Sequence, residues 1–187
     1  MQKNENPFVL AGILLVITAA VALLLAFTNS VTEDKIEQNT IKEQNEARQS
    51  VMAAAKDFTK LDAQLDPDGV VKEIYEGKDG ETTVGYCVSV APNGFGGAID
   101  MIVGISSDKK VTGIKIVSMA ETPGLGAKAQ DDAFSGQFAD KPATELKVIK
   151  SGTAEADEIV AISGATISSA AVTSGVNEAV KAVENLK

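Results

Sequence analysis

Apolar residues run from Phe8 to Phe27 without a single charged position, reading FVLAGILLVITAAVALLLAF, and only Gly12 and Thr18 soften the run. At helical rise such a stretch is about 30 Å long, the thickness of bilayer hydrocarbon. A soluble core helix seldom stays apolar on every face for so long. A secretory h-region is shorter, about 7–15 residues, and ends in an A-x-A-like site. Here the exit is Ala26, Phe27, Thr28, Asn29, Ser30, with neither such a site nor a Cys for lipid attachment. The pattern predicts a short leader over 1–7 and an uncleaved transmembrane anchor over 8–28. Lys3 on one side faces Lys35 and Lys42 on the other, so the positive-inside rule does not fix the orientation.

Beyond the anchor the periodicity changes. Over 29–60 the chain is polar, with Ile36, Ile41, Val51, Met52, Ala55 and Phe58 near helical spacing, and predicts a helical spacer. DAQLDPDG at Asp62–Gly69 reads as a turn. β-branched runs follow at Val70–Tyr75, Thr82–Ala91, Ala98–Ile105 and Val111–Ser118, separated by EGKDGE, PNGFGG and SSDKK. Connections this short favour an antiparallel meander. A helix near Ala129–Phe138 and a strand around Leu146–Lys150 come next. The final helix carries Ile167, Val172, Val176, Ala179, Val180, Val183 and Leu186 at three- and four-residue steps. The expectation is an α+β protein: an N-terminal transmembrane helix, then one domain over 61–187 with an antiparallel sheet and packed helices.

The net charge of −9 argues against a nucleic-acid partner, which would need clustered Lys and Arg. There is no His, and Cys87 is the only cysteine. One thiol closes no intrachain disulfide and holds no iron–sulfur cluster alone, so redox chemistry here would use an organic cofactor. Lack of His argues against hydrolytic triads and zinc catalysis. Cys87 itself reads as a buried strand residue.

The candidate chemistry lies in IVAISGATISSA, Ile159–Ala170, an apolar run that breaks at Ser163, Gly164, Ala165 and Thr166 where the last helix begins. A helix start offers unpaired N–H groups and partial positive charge, and small residues let a phosphate approach the backbone. Thr166, Ser168 and Ser169 add hydroxyls. The same residues also read as an ordinary helix cap, since Ser and Thr are favoured there.

SGAT at Ser163–Thr166 with Ile167, Ser168 and Ser169, together with ETPGLG at Glu121–Gly126, resembles the FMN-binding domain family. More narrowly, the chain is similar to the G subunits of Rnf complexes, the membrane ferredoxin:NAD oxidoreductases, and to the related C subunits of sodium-pumping NADH:quinone oxidoreductases. The order of features agrees over nearly the whole chain: leader, anchor, spacer, strands, the GFGG turn at Gly94–Gly97, ETPGLG, SGAT and a terminal helix. The resemblance implies FMN held by a phosphoester to Thr166, attached by a flavin transferase that uses FAD. Ser163 would donate to the phosphate or cap the helix. Glu121, Thr122, Pro123, Gly124, Leu125 and Gly126 would fold over the isoalloxazine ring. It also implies an electron carrier, partnered by the other membrane and peripheral subunits of a complex that moves Na⁺ or H⁺, with its domain on the outer face of the cytoplasmic membrane. The chain departs from the family at Val160, where an acidic residue is usual three positions before the SGAT serine, and at Met119 and Ala120, where His is frequent. The quinone-reductase C subunit, a stand-alone anchored flavoprotein, and a colourless scaffold whose SGAT merely caps a helix remain alternatives at the level of sequence.

Overall fold

The computed structural model describes residues 7–186. All of the 1–7 leader except Pro7 lies outside the described residues. Helix α1, Pro7–Val51, is continuous, and the chain's contacts divide it into two units, 1–43 and 44–187.

In the first unit, the span Pro7–Glu33 contains an 18-residue window with a mean hydropathy of 3.0, and none of its residues is buried. A helix apolar on all sides without a protein partner has the character of a bilayer span. Its threonine hydroxyls are satisfied internally: Thr18 donates to Leu14 O at 2.9 Å, Thr28 to Leu24 O at 2.9 Å and Thr32 to Thr28 O at 2.9 Å. Apolar surroundings require that of any hydroxyl they enclose. The unit fits a single-pass membrane protein.

The second unit is built on a five-stranded antiparallel meander. Its strands in order are β1 (Asp57–Lys60), β2 (Val71–Asp79), β3 (Thr82–Val90), β4 (Ile99–Ser106) and β5 (Val111–Met119). Alternation sends Ile74, Val88, Val90, Met101, Val103 and Ile105 to one face, where they pack with Phe138, Val172 and Val176. Phe138 ends the turns that follow β5: a 3₁₀ turn at Gly126–Gln130, the short helix α2 (Asp132–Ser135) and a second 3₁₀ turn at Gly136–Phe138. Val172 and Val176 belong to α3, Thr166–Glu184. A small parallel pair, β6 (Lys147–Ile149) and β7 (Glu158–Val160), leads into α3.

The opposite face takes the last turns of α1. Ala47, Val51, Met52 and Ala55 pack there on Cys87 and Ile102. The helix end sits close because the strands carry glycine beneath it: a Cβ at Gly77 would fall 2.7 Å from Met52 Sδ, and one at Gly104 would fall 2.6 Å from Val51 O. Thr112 donates its hydroxyl to Val51 O, so a carbonyl left open at the helix end finds a donor, and Gln49 Nε2 reaches Ala55 O at 3.1 Å in the turn that follows. Burial pushes the Cys87 thiol up to about 12, which makes it an inert packing residue.

Three expectations need correction. The helical spacer over 29–60 stops at Val51, and Asp57–Lys60 forms the edge strand β1, because its backbone pairs with Tyr75–Lys78 of β2. The single helix near Ala129–Phe138 is instead split between α2 and 3₁₀ turns. Ile167 does not join the buried stripe of α3 but is 58% exposed.

Candidate functional site

Strand β7 delivers the chain to the SGAT turn, and Gln137 fixes its exit. The Val160 N–H donates to Gln137 Oε1 at 2.8 Å, while Gln137 Nε2 donates to Val160 O at 3.2 Å. Gly164 then takes φ +78°, a left-handed conformation suited to glycine. An added Cβ there would lie 3.2 Å from Leu125 Cδ2, so the ETPGLG loop touches the SGAT turn at this point. Helix α3 begins at Thr166 behind Ala165, and no side chain caps it. Ser163 is exposed and does not serve as the cap.

The three hydroxyls of the first turn have different surroundings. Ser169 is fully buried, donates to Ala165 O at 2.9 Å and accepts the Ile162 N–H at 3.0 Å, so it ties the turn to its own helix. Ser168, 2% exposed, donates to Glu121 Oε2 at 2.8 Å. Thr166 is exposed, and among the described residues its hydroxyl has no protein partner. Of these three hydroxyls, Thr166 alone presents a free nucleophilic oxygen beside the N–H groups of an uncapped helix start.

The facing loop is a built turn. Thr122 O accepts the Leu125 N–H at 3.1 Å across Pro123 and Gly124, and Gly124 has φ +79°. This is the proline-then-glycine pattern of a type II turn. Glu121 stands at its base, buried, with Oε1 accepting the Phe95 N–H at 2.7 Å and the Gly96 N–H at 3.0 Å. Burial by itself would raise the carboxyl's pKa. The hydrogen bonds from Gly96, Ser168 and Phe95 outweigh that and hold it below the usual carboxylate range.

Around Thr166 these elements enclose an open cavity of about 370 Å³, lined by Phe95, Glu121, Thr122, Leu125, Gly126, Gly164, Ala165, Thr166, Ile167 and Ser168. The size falls within the roughly 300–1,000 Å³ of small-molecule sites. Of the residues expected at the site, Pro123 and Gly124 shape the turn, Ser169 supports the helix start and Ser163 lies exposed before it, and none of the four lines the cavity. Phe95 and Ile167 line it although sequence reasoning did not single them out for it. The one available signal was an aromatic residue set among the glycines of Gly94–Gly97. A larger cavity of about 560 Å³, beneath Ala63–Val71, contains no residue of either motif.

Residues 94–181 match the model of the FMN-binding domain, and residues 8–51 match that of the RnfG N-terminal region. The G subunit of the Na⁺-translocating ferredoxin:NAD⁺ oxidoreductase complex of Acetobacterium woodii is 41% identical, over 96% of this chain and 92% of its own length. The G subunit of the proton-translocating complex of Clostridium ljungdahlii is 36% identical, over 97% and 94%. The chain belongs to the G-subunit family of ion-translocating oxidoreductase complexes. The FMN-binding match spans Phe95, the Glu121–Gly126 loop and Thr166, so the cavity lies inside the stretch that the family devotes to FMN. The RnfG N-terminal match spans α1 from Phe8 to its last residue. In fold, the chain is similar to the C subunit of the Na⁺-translocating NADH-quinone reductase from Parabacteroides distasonis, with 19% identity and a TM-score of 0.58 over 79% of this chain and 93% of that one. NqrC of Shewanella oneidensis is also similar, with 17% identity and a TM-score of 0.52 over 67% and 65%. The residues present fit FMN: an uncapped helix start suits the phosphate, and the exposed apolar Phe95, Leu125 and Ile167 suit a flat ring.

Proposed function

We propose that this G-subunit family member carries FMN as a phosphoester on Thr166 and relays electrons within a membrane ferredoxin:NAD oxidoreductase that couples electron flow to Na⁺ or H⁺ movement. The observation that carries this reading is the free, exposed Thr166 hydroxyl at the uncapped start of α3, on a cavity floored by Glu121 and Ser168. FMN accepts two electrons and releases them one at a time, and the protein supplies position and electrostatics. In attachment, Thr166 Oγ forms the new bond to the FMN phosphorus of FAD, the pyrophosphate bridge breaks, and AMP leaves as the hydroxyl proton is lost. A flavin transferase performs that step. The partial positive charge of α3 favours the phosphate once it is there. Glu121 stays clear of it, since its oxygens are occupied by three donors.

The chain works with the other membrane and peripheral subunits of an Rnf-type complex. Helix α1 lies in the cytoplasmic membrane, and the FMN domain sits on its outer face, where a covalent link prevents loss of the cofactor. The test is co-expression of the full chain with a flavin transferase, followed by in-gel fluorescence and intact mass. A fluorescent band heavier by one FMN supports the reading, and a dark band of unmodified mass overturns it.

A further inference from the structure

Outside α1, four large apolar side chains among the described residues are exposed: Phe95, Val117, Leu125 and Ile167. Three of them line the cavity beside Thr166, and Phe95 is the most exposed at 71%. Single exposed apolar residues are ordinary, but three converging on one cavity indicate something that covers them.

An aromatic side chain on a glycine-rich turn would normally move freely. This one has a fixed backbone. Asn93 and Ala98 bridge the turn, the Gly94 N–H donates to Gly97 O at 2.8 Å, and both the Phe95 and Gly96 N–H groups end on Glu121 Oε1. The other oxygen of Glu121 takes the Ser168 hydroxyl. One buried carboxylate thus joins the β3–β4 turn, the ETPGLG loop and the first turn of α3. The glycines around it leave no alternative: a Cβ at Gly94 would collide with Glu121 Oε1, and one at Gly126 with Glu121 Oε2 and Ser168 Oγ. Among the described residues Glu121 forms no ion pair, so a charge is buried there on hydrogen bonds alone. For turn closure that is a costly device, since a neutral side chain would suffice. For holding an exposed ring at a set place beside Thr166 it is well suited.

We propose that Phe95 is the aromatic wall against which the isoalloxazine ring packs, and that Glu121 is the positioning residue that holds it there without touching the flavin itself. This rests on FMN being attached at Thr166 and deepens that reading. Offset or edge contact between the two ring systems adds dispersion and quadrupole attraction and removes water from one face of the flavin. Leu125 and Ile167 supply the remaining apolar contact.

The chain contains no Trp, which makes Phe95→Trp a clean probe, because an indole in contact with excited isoalloxazine quenches it by electron transfer. The full chain is co-expressed with a flavin transferase, and flavin fluorescence lifetime is measured alongside intact mass. Phe95→Trp is expected to shorten the mean lifetime by about threefold or more relative to Phe95→Leu, as ring contact requires. Adding Glu121→Ala to Phe95→Trp should restore most of the lifetime while the added FMN mass stays, and Glu121→Gln, which keeps an acceptor oxygen, should restore less. Equal lifetimes for Phe95→Trp and Phe95→Leu in chains that carry FMN would overturn the proposal and leave the attachment intact. Loss of assembly with the membrane partners at unchanged lifetime would likewise overturn it, marking Phe95 as a partner contact. A wild-type chain without FMN brings down both readings together. If Glu121→Ala does not fold, the Trp-against-Leu comparison decides alone.

Discussion

The C-terminal end of α1 and the N-terminal start of α3 seat on opposite faces of the same sheet, and they are finished in opposite ways. At the α1 end, glycines let the helix press onto the strands, Thr112 supplies a donor to the open Val51 carbonyl, Gln49 ties down the turn that follows through Ala55 O, and Ala47, Val51 and Met52 are buried. At the α3 start no side chain caps the helix, Thr166 has no partner among the described residues, and Ile167, Leu125 and Phe95 stay in solvent. The sheet can plainly complete a helix end, so the incomplete one reflects a demand other than stability. Local rules broken at one place and kept at its counterpart are the mark of a binding site.

That contrast is open to attack from both sides. The largest stability change is expected at the closed face, where Gly104→Ala places a methyl against Val51 O and Thr112 and should cost about 2–3 kcal/mol by denaturant unfolding. Covalent flavin should persist in that variant as long as it folds. Next comes Thr112→Val, which leaves the Val51 carbonyl without its donor and should cost about 1–2 kcal/mol. An equal cost for Thr166→Val would erase the distinction between the two ends; the expected value there is below about 0.5 kcal/mol, as for an exposed residue without partners.

Glu121 gives a pH-dependent version of the test. Its carboxyl is depressed in the folded protein, so the folded state binds its proton less readily than the unfolded state. The stabilisation is therefore complete above the ordinary value of 4.5 and is lost as pH falls through the lower folded value. Unfolding measured in parallel for wild type and Glu121→Gln should give a gap that is constant near neutrality and narrows in acid. A gap that widens in acid would mean that the carboxyl is raised instead.

Much of the scaffold could be read from the chain because its signals are local. Strands β2 to β5 alternate and are separated by Gly- and Asp-rich turns, and α3 repeats its apolar positions at three and four. Strand β1 left no such trace, because Asp57–Lys60 is an edge strand held by backbone pairing to residues about 20 positions later. The parallel pairing of β6 with β7 was equally invisible, as three-residue strands carry too little pattern. At the site, Thr166 and the two loops followed from motif and resemblance. The division of labour among hydroxyls did not, since Ser168 and Ser169 differ from Thr166 only in the face of α3 they occupy. Nor did the Glu121 clamp, whose donors lie 25, 26 and 47 residues away in sequence. Ile167 fitted the apolar period of α3 and was counted with its core, although it sits on the first turn, where its side chain is exposed and lines the open cavity.

The central claim is that Thr166, and neither of the buried serines beside it, is the attachment point. Peptide mapping tests it directly: digestion after lysine of chain co-expressed with a flavin transferase releases the segment 151–181, which holds Ser163, Thr166, Ser168 and Ser169 together, and fragmentation assigns the added mass. The account predicts one FMN phosphate on Thr166 and none on the three serines. The same mass on Ser163, Ser168 or Ser169, or its absence from this segment, would contradict it.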